Sequence, residues 1–498
     1  MPSDKVDLII VNPGTGSLTY QDLASNLTAV EPPLWAGLIA TYIRNRGFNV
    51  KIIDAEAERF DAIGVADRVG DDNPHLVAMI VYGHQPSAST QMMVGAGIEC
   101  KAIKRLNPDQ KIIIIGGHVA ALPDRTLREE AVDFACNGEG PVTVEQLLTV
   151  LKNGSEDYSK VEGLVWRDGK EIRNNIGAKL ITDLDKDLPG SAWDLLPMKR
   201  YRAHNWQCFG DLESRKPYAS IYTTLGCPYR CTFCCINAPF GKPNYRMRSP
   251  KVVVDEMEHL YKTYGVRTFK IVDEMFVLND RHVSGICNLL IERGLGAKFN
   301  IWAYARVDTV KPQMLEMLRK AGIRWLALGI ESGSKHVRDG AQKSLKHNDI
   351  IGIVREIQKA DINVIGNYIF GLPDDDVDSM RETLELAKEL NCEFSNFYSA
   401  MAYPGSPLYK LAVEKGWGLP DSWGGYSQHS FDCKPLPTEK VPAGAVLKFR
   451  DDAFHEYFSN PRYLDMVTQR FGWDTRQHIE KMTQHRLKRK LVDELVAA

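Results

Sequence analysis

The feature that most constrains this chain is an alternation of short β-branched apolar runs with longer stretches of helical spacing, in one series to about residue 150 and a second from about residue 217 to about residue 405. VDLIIVNP (6–13), NVKIIDAE (49–56), LVAMIVYG (76–83) and KIIIIGG (111–117) are almost continuously apolar. A strand with one wet face alternates polar and apolar residues, whereas an unbroken apolar run suits a parallel sheet covered on both faces. Between the runs, Leu34, Leu38, Ile39, Tyr42 and Ile43 share one helix face. VDFACNG then precedes a helix predicted from about Pro141 to Leu151. Five strands with intervening helices predict an α/β, doubly wound, Rossmann-like domain over residues 1–152.

Residues 153–215 read as a linker, with a plausible hairpin around Asp168-Gly169 and a Pro-containing stretch, DLPGSAWDLLP. A second series spans residues 216–405. Its strand candidates are ASIYTTLG, RTFKIVDEMF, FNIWAYARVD, RWLALGIES, NVIGNYIFGLP and EFSNFYSAMAYPG. Helical segments such as VVVDEMEHLYKTYG and MLEMLRKAG separate them, the latter with Gly322 placed to end it. Six βα units are too few for a closed eight-stranded barrel and predict a partial, TIM-like (β/α)6 barrel. Residues 406–498 turn helical and are rich in Trp, Pro and Tyr, as a C-terminal cap over the open barrel or as a packing subdomain. The basic run HRLKRK within them reads as a solvated helix face, with a docking surface for an acidic electron donor as the alternative.

Composition excludes several classes. A charged fraction of 25% and a hydrophobic fraction of 44% are those of a folded globular chain, not of a disordered or fibrous one. No run of about 18 apolar residues occurs, so no membrane span is expected. The start, MPSDKVDLIIVNPG, carries acidic residues where a secretory signal carries basic ones, so a cytoplasmic protein is expected. A formal charge of -2 makes no electrostatic case for a nucleic-acid partner.

Of ten cysteines, four fall within nine residues: Cys227, Cys231, Cys234 and Cys235. The first three form C-x3-C-x2-C, directly after the first strand of the barrel series, where such folds place chemistry. Three thiolates on one short loop can each ligate an iron of a [4Fe–4S] cluster, with no fourth protein ligand evident. Cys235 is adjacent, but neighbouring residues rarely point at different corners of one cluster. A structural zinc site is the alternative, yet it needs a fourth Cys or His at knuckle spacing, and none follows nearby. The remaining six cysteines are expected to be packing thiols.

This motif, with Phe233 before its third cysteine, resembles the radical S-adenosylmethionine (SAM) enzymes. The resemblance implies that Cys227, Cys231 and Cys234 hold the cluster, that SAM fills its open site, and that one-electron reduction releases a 5′-deoxyadenosyl radical. It also implies SAM contacts at the strand ends: Asp273 and Glu274, Arg306 in YARVD, Glu331 in GIES, and Phe370 and Gly371 in IFGLP. Asp273, Glu274 and Glu331 have a plainer reading as N-caps or ion-pair partners, and Arg306 as simply pairing with Asp308 or a nearby carboxylate.

The strand ends of the first domain are glycine-rich. NPGTGS contains Gly14 and Thr15 but lacks the third glycine of a dinucleotide fingerprint. Tyr82-Gly83-His84, Gly116-Gly117-His118 and Gly138-Glu139-Gly140 either admit a large ligand or make ordinary tight turns. EPPLWAGLIATYIRNRGF, the GGH loop and NGEGP together resemble the cobalamin-binding domain that precedes many radical SAM modules. That resemblance implies cobalamin contacts at Gly14, Thr15, His84, Gly116, Gly117, His118, Gly138 and Glu139. There is no D-x-H-x-x-G, so base-off cobalamin without a histidine from that motif is expected.

Together these resemblances imply a methyltransferase that takes a methyl group from SAM, carries it as methylcobalamin and delivers it to an unactivated carbon or phosphorus centre after hydrogen abstraction. An oxidative cyclase or rearrangement enzyme using the same cofactors is the alternative, and a noncatalytic iron–sulfur or B12 sensor is a third. Trp302, Tyr304, Asn367, Tyr398 and Tyr403 are substrate candidates at the barrel mouth, or else core and rim packing. The substrate is expected to be a small or lipid-like molecule, and the electron donor a ferredoxin or flavodoxin.

Overall fold

The computed structural model describes residues 5–24, 28–343, 345 and 347–497. The five N-terminal runs form parallel strands: β1 (Leu8–Asn12), β2 (Val50–Asp54), β3 (Leu76–Ile80), β4 (Ile112–Ile115) and β5 (Phe134–Cys136). Every residue of β1, β3, β4 and β5 is buried, because helices cover both faces. The order β2-β1-β3-β4-β5 reverses direction between β1 and β3, the switch point of a doubly wound sheet.

The linker expected over residues 153–215 is more than a linker. Its hairpin is formed, but β6 (Leu164–Asp168) and β7 (Glu171–Asn174) continue the first sheet in antiparallel register beyond β5. Gly169, at φ +60, lets the chain turn between them. Further on, Trp193, Leu196, Met198, Tyr201, Trp206 and Phe209 are buried in the core of the second domain. Trp206 lies edge-on to Trp302 and Trp325 at 5.1 and 5.5 Å, so this stretch plugs the bottom of the barrel.

All six barrel strands form where the apolar runs stand. They are β8 (Tyr218–Ile221), β11 (Thr268–Ile271), β12 (Asn300–Arg306), β13 (Ile323–Glu331), β14 (Asn363–Phe370) and β15 (Phe394–Ser399). They make one parallel sheet in sequential order, a curled half-barrel with β8 and β15 at its edges. Between β8 and β11, a short ladder of β9 (Thr224–Leu225) and β10 (Arg246–Met247) pins the base of the cysteine loop. Helix boundaries follow local chemistry: Ser249 caps helix Pro250–Tyr264, whose first residue is proline, and Gly265 closes it at φ +72. Gly322 ends helix Pro312–Lys320 as its position suggested, at φ +94.

The C-terminal region covers the exposed edge of β15. In helix Ala443–Phe458, Arg450 Nε donates to the Phe397 carbonyl at 2.8 Å and Tyr457 donates to the Cys392 carbonyl at 2.7 Å. The same region reaches the first domain. Ser427 donates to the Thr19 carbonyl at 3.0 Å, Gln21 donates to the His429 carbonyl at 2.7 Å, and the Trp423 ring meets His118 edge-on at 4.4 Å. HRLKRK is not a helix face: residues 485–489 are coil, and Arg489 is buried on Asp451 at 2.8 Å. Among the described residues no helix is long and apolar enough to cross a membrane.

Candidate active site

The carboxyl ends of the barrel strands, the strand-end loops of the first sheet and the C-terminal coil enclose one cavity of about 1050 Å³. The cysteine loop forms one side of it. Gly226 opens the loop at φ +87, and a Cβ there would stand 2.4 Å from Asn244 Oδ1, so only glycine fits. The loop is held in place by Leu408, whose N–H donates to the Thr232 carbonyl at 2.8 Å, and by a Cys231–Cys234 turn of 3.1 Å. Cys227, Cys231 and Cys234 all line the cavity as free thiols, with Phe233 beside them. Burial pushes the Cys227 thiol up to about 11 and the Cys234 thiol above its ordinary range, so only a bound cation makes them thiolates.

Among the described residues, no three His, Cys, Asp or Glu side chains converge as a single metal ion requires. Three thiols spread along one loop around a shared space instead suit a polynuclear cluster with a ligand at each of three corners. Three cysteines on one loop, all bordering the cavity, are the donor set of the iron–sulfur expectation. Cys235 is buried beside them and faces both this cavity and a second, small one of about 40 Å³.

Three other expected groups reach the cavity. Glu274 ends up among the cysteines, and burial pushes its carboxyl up to about 8, against the pull of Lys270 and with a push from Asp273. It is therefore protonated at neutral pH. Glu331 stands at a bulge in β13 with φ +65, a left-handed conformation in a non-glycine residue, and forms a buried ion pair with Lys343. Arg306 lines the cavity while pairing with Asp308 at 2.8 and 2.9 Å, the plainer role foreseen for it. Its Nη1 also comes to 4.0 Å from Cys231 Sγ, and its guanidinium lies 4.2 Å over the Tyr229 ring. Trp302, Tyr304, Asn367, Tyr398 and Tyr403 all face the same space.

Asp273, Phe370 and Gly371 do not. Asp273 is buried and accepts from the Thr223 N–H at 2.6 Å and from its hydroxyl, which ties β11 to β8. The Phe370 ring packs between Phe397 and Phe449, 5.8 and 5.0 Å away, and Gly371 lies against Val446. Neighbours along a strand point to opposite faces, so in β14 Ile369 takes the cavity side, and in the turn after β11 Glu274 does.

The residues expected around cobalamin separate in the same way. His84 lines the cavity; its Nε2 lies 2.7 Å from the Pro32 carbonyl, while Nδ1, 3.0 Å from Glu31 Oε1, has no hydrogen bond of good geometry. The Gly14 N–H donates to Glu99 at 2.9 Å and the Thr15 N–H to Glu56 at 2.8 Å, so this loop's amides are taken by the protein's own carboxylates. Gly116 packs so closely on Val81 that a Cβ would meet its carbonyl oxygen at 2.5 Å. Gly117 borders the small cavity, which lies between Tyr82–His84 on one side and Gly226, Cys235 and Glu274 on the other. His118 is buried away from both, with Nδ1 at 3.2 Å from the Thr90 hydroxyl and Nε2 without a partner. Burial holds its imidazole down at about 3. Gly138 is open at its Cα and accepts from the Tyr82 hydroxyl at 3.3 Å, whereas Glu139 is spent on Arg246, 2.8 Å away in β10.

Sequence reasoning missed a charged group on the chamber wall. Glu31 Oε1 receives His84, Lys270 Nζ at 2.9 Å and the Tyr218 hydroxyl at 3.0 Å. Burial raises the Glu31 carboxyl, but His84 and Lys270 outweigh it and hold it well below its usual range. The signal was a lysine inside an otherwise apolar strand, TFKI.

Comparison with known proteins agrees with this division. Residues 221–387 match the model of the Radical SAM superfamily, and residues 20–148 match that of the B12 binding domain. An uncharacterized methyltransferase of Pyrococcus horikoshii is 28% identical over 434 residues, 87% of this chain and 89% of that protein. The anaerobic magnesium-protoporphyrin IX monomethyl ester cyclase of Cereibacter sphaeroides is 27% identical over 398 residues, 78% of this chain and 62% of that protein. In fold, the chain is similar to the radical S-adenosylmethionine methyltransferase TsrM from Kitasatospora setae, solved with cobalamin and a [4Fe-4S] cluster bound. The TM-score is 0.70 at 18% identity, over 96% of this chain and 99% of that one.

Proposed function

Because the chain belongs to the cobalamin-dependent radical SAM enzymes, we propose that it moves a methyl group from SAM, by way of cobalamin, to a carbon or phosphorus centre of a small molecule held in the 1050 Å³ chamber. What supports this most is that the cysteine loop, the strand-end groups and the loop around His84 border one space. When bound, the cluster supplies the electron that cleaves SAM, and cobalamin supplies a carrier for the methyl group. Cys227, Cys231 and Cys234 would hold the cluster. Glu274, neutral at pH 7, would offer a hydrogen bond beside it, and the Glu331–Lys343 pair would mark the far end of SAM. His84 Nε2 is taken by the Pro32 carbonyl and its Nδ1 is turned to Glu31, and His118 is buried off the cavity lining, which supports base-off cobalamin without a histidine. Tyr304, whose hydroxyl receives Gln85 at 3.1 Å, would face the substrate at the seam between the two domains. A low-potential ferredoxin or flavodoxin would deliver the electron, in a cytoplasmic setting that suits ten free thiols.

The test is anaerobic reconstitution with iron, sulfide, cobalamin, a chemical reductant and methyl-labelled SAM. Expected are 5′-deoxyadenosine and transfer of label to cobalamin, both needing the reduced protein. Cys231→Ser is expected to abolish 5′-deoxyadenosine formation; cleavage that persists in that variant overturns the cluster assignment. Cleavage with no labelled cobalamin favours the cyclase or rearrangement chemistry suggested by the 27% identical cyclase.

A further inference from the structure

The chamber wall opposite the cysteine loop carries positive charge that the chemistry above does not use. Arg450 is only 6% exposed yet lines the cavity. Its Nε is taken by the Phe397 carbonyl at 2.8 Å and its Nη1 by Asp451 Oδ1 at 2.7 Å. No acceptor among the described residues takes its Nη2. Arg489 donates to the same Asp451 carboxylate at 2.8 and 3.0 Å, and to the Ser430 and Gln428 carbonyls at 2.9 Å each. Two guanidiniums thus share one carboxylate, which leaves the buried cluster with a surplus positive charge. Arg486 and Lys488 line the same wall, with no ion-pair partner among the described residues. Asp493 on the same wall is the one lining carboxylate there without an ion-pair partner among the described residues, so Arg450, Arg489, Arg486 and Lys488 still outnumber Asp451 and Asp493; the other pairs at the cavity are balanced: Lys448 with Asp452, Lys270 with Glu31, Lys343 with Glu331, Arg306 with Asp308.

The Arg450 Nη2 donors open on the cavity, so an incoming anion can take them in place of solvent, and the planar fork of arginine suits a carboxylate or phosphate. The floor and side of the chamber are aromatic, with Trp206, Trp302 and Tyr398 exposed to it. We propose that Arg450, aided by Arg486 and Lys488, receives the carboxylate or phosphate of an aromatic or otherwise flat apolar substrate whose body packs on this aromatic wall. The proposal rests on the reading of the chamber as the substrate site.

The test is fluorescence binding to the cluster- and cobalamin-loaded protein with two probes of like shape, anilinonaphthalene sulfonate and the uncharged N-phenylnaphthylamine. The wild type is expected to bind the sulfonate more tightly than the neutral probe. Arg450→Gln is expected to weaken the sulfonate about 10-fold, the worth of one charge-assisted hydrogen bond, leave the neutral probe unchanged, and be rescued by Arg450→Lys. Indole acetate and phenyl phosphate, as carboxylate and phosphate arms, are expected to displace the sulfonate better than tryptamine does. Equal displacement by tryptamine, no sulfonate binding by the wild type, or equal weakening of both probes overturns the proposal. Loss of the cobalamin absorbance from Arg450→Gln also overturns it, since the residue would then serve the cofactor. Should that variant not fold, the exposed double variant Arg486→Gln/Lys488→Gln gives the same reading: weaker sulfonate binding supports, unchanged binding overturns. None of these measurements needs SAM turnover, so failure here and failure of the methyl-transfer assay are separate results.

Discussion

Glu99 shows how burial sets a single group. It sits beneath the first strand-end loop, 3% exposed, and burial pushes its carboxyl from an ordinary 4.5 up to about 8. The Gly14 N–H pulls that value down, while Glu56 and Asp54 push it up. Between those two values the folded chain holds a proton that the unfolded chain releases, so stability falls as pH rises through this window. Glu99→Gln removes that proton uptake. The melting temperature of the variant, followed across the range from 4.5 to about 8, is expected to fall less steeply than that of the wild type. An unchanged slope contradicts the assignment. At this scale the cysteine motif was legible because Cys227, Cys231 and Cys234 stand close in sequence and one loop carries all three to the cavity. Asp273 and Glu274 were legible only as a pair, since they lie in the turn just past β11 and sequence alone does not say which of the two enters the cavity. Arg450 was not legible at all, because only packing brings it, 6% exposed, to the cavity wall beside Arg489 and Asp451.

Among elements, the strands were readable because parallel strands covered on both faces must be apolar throughout. The stretch 193–209 was not, because it has neither a period of two nor of 3.6 and earns its burial from tertiary contacts alone. HRLKRK was misread for a related reason: a basic run resembles a wet helix unless a buried carboxylate such as Asp451 waits for one of its arginines. The contact of β14 with helix Ala443–Phe458 gives a direct check. Gly371 follows β14 at φ +80, and a Cβ there would stand 2.5 Å from Val446 Cγ1. Gly371→Ala is expected to destabilise by about 2 kcal/mol from backbone strain alone, and more from displacement of the helix. A denaturation midpoint equal to wild type would show that the helix yields freely.

Over the whole molecule, buried polar contacts tie the domains together. Glu139 meets Arg246 at 2.8 Å with the two side chains only 4% and 11% exposed, the Tyr201 hydroxyl donates to Asp54 at 2.7 Å, and Lys270 reaches Glu31. Domains joined through such contacts unfold together, so calorimetry is expected to show one transition, and two resolved peaks contradict this. Arg246→Ala leaves a buried carboxylate without its partner and is expected to cost about 3 kcal/mol or more, read as a lower melting temperature. The Tyr201→Phe variant, which removes a hydroxyl from a carboxylate that Asn12 also serves at 2.8 Å, is expected to cost less.

His204, Asn205 and Trp206 form part of the chamber floor, yet they come from the connector and not from any βα unit. Depth and reactivity are therefore written in different parts of the chain. Of the three, Trp206 is fixed by its packing on Trp302 and Trp325 and Asn205 by His478, so His204 is the position where a larger or smaller side chain would change the floor while leaving the cysteines and the strand ends untouched. That separation gives evolution, or an engineer, a dial for substrate choice that turns without disturbing the radical chemistry above it.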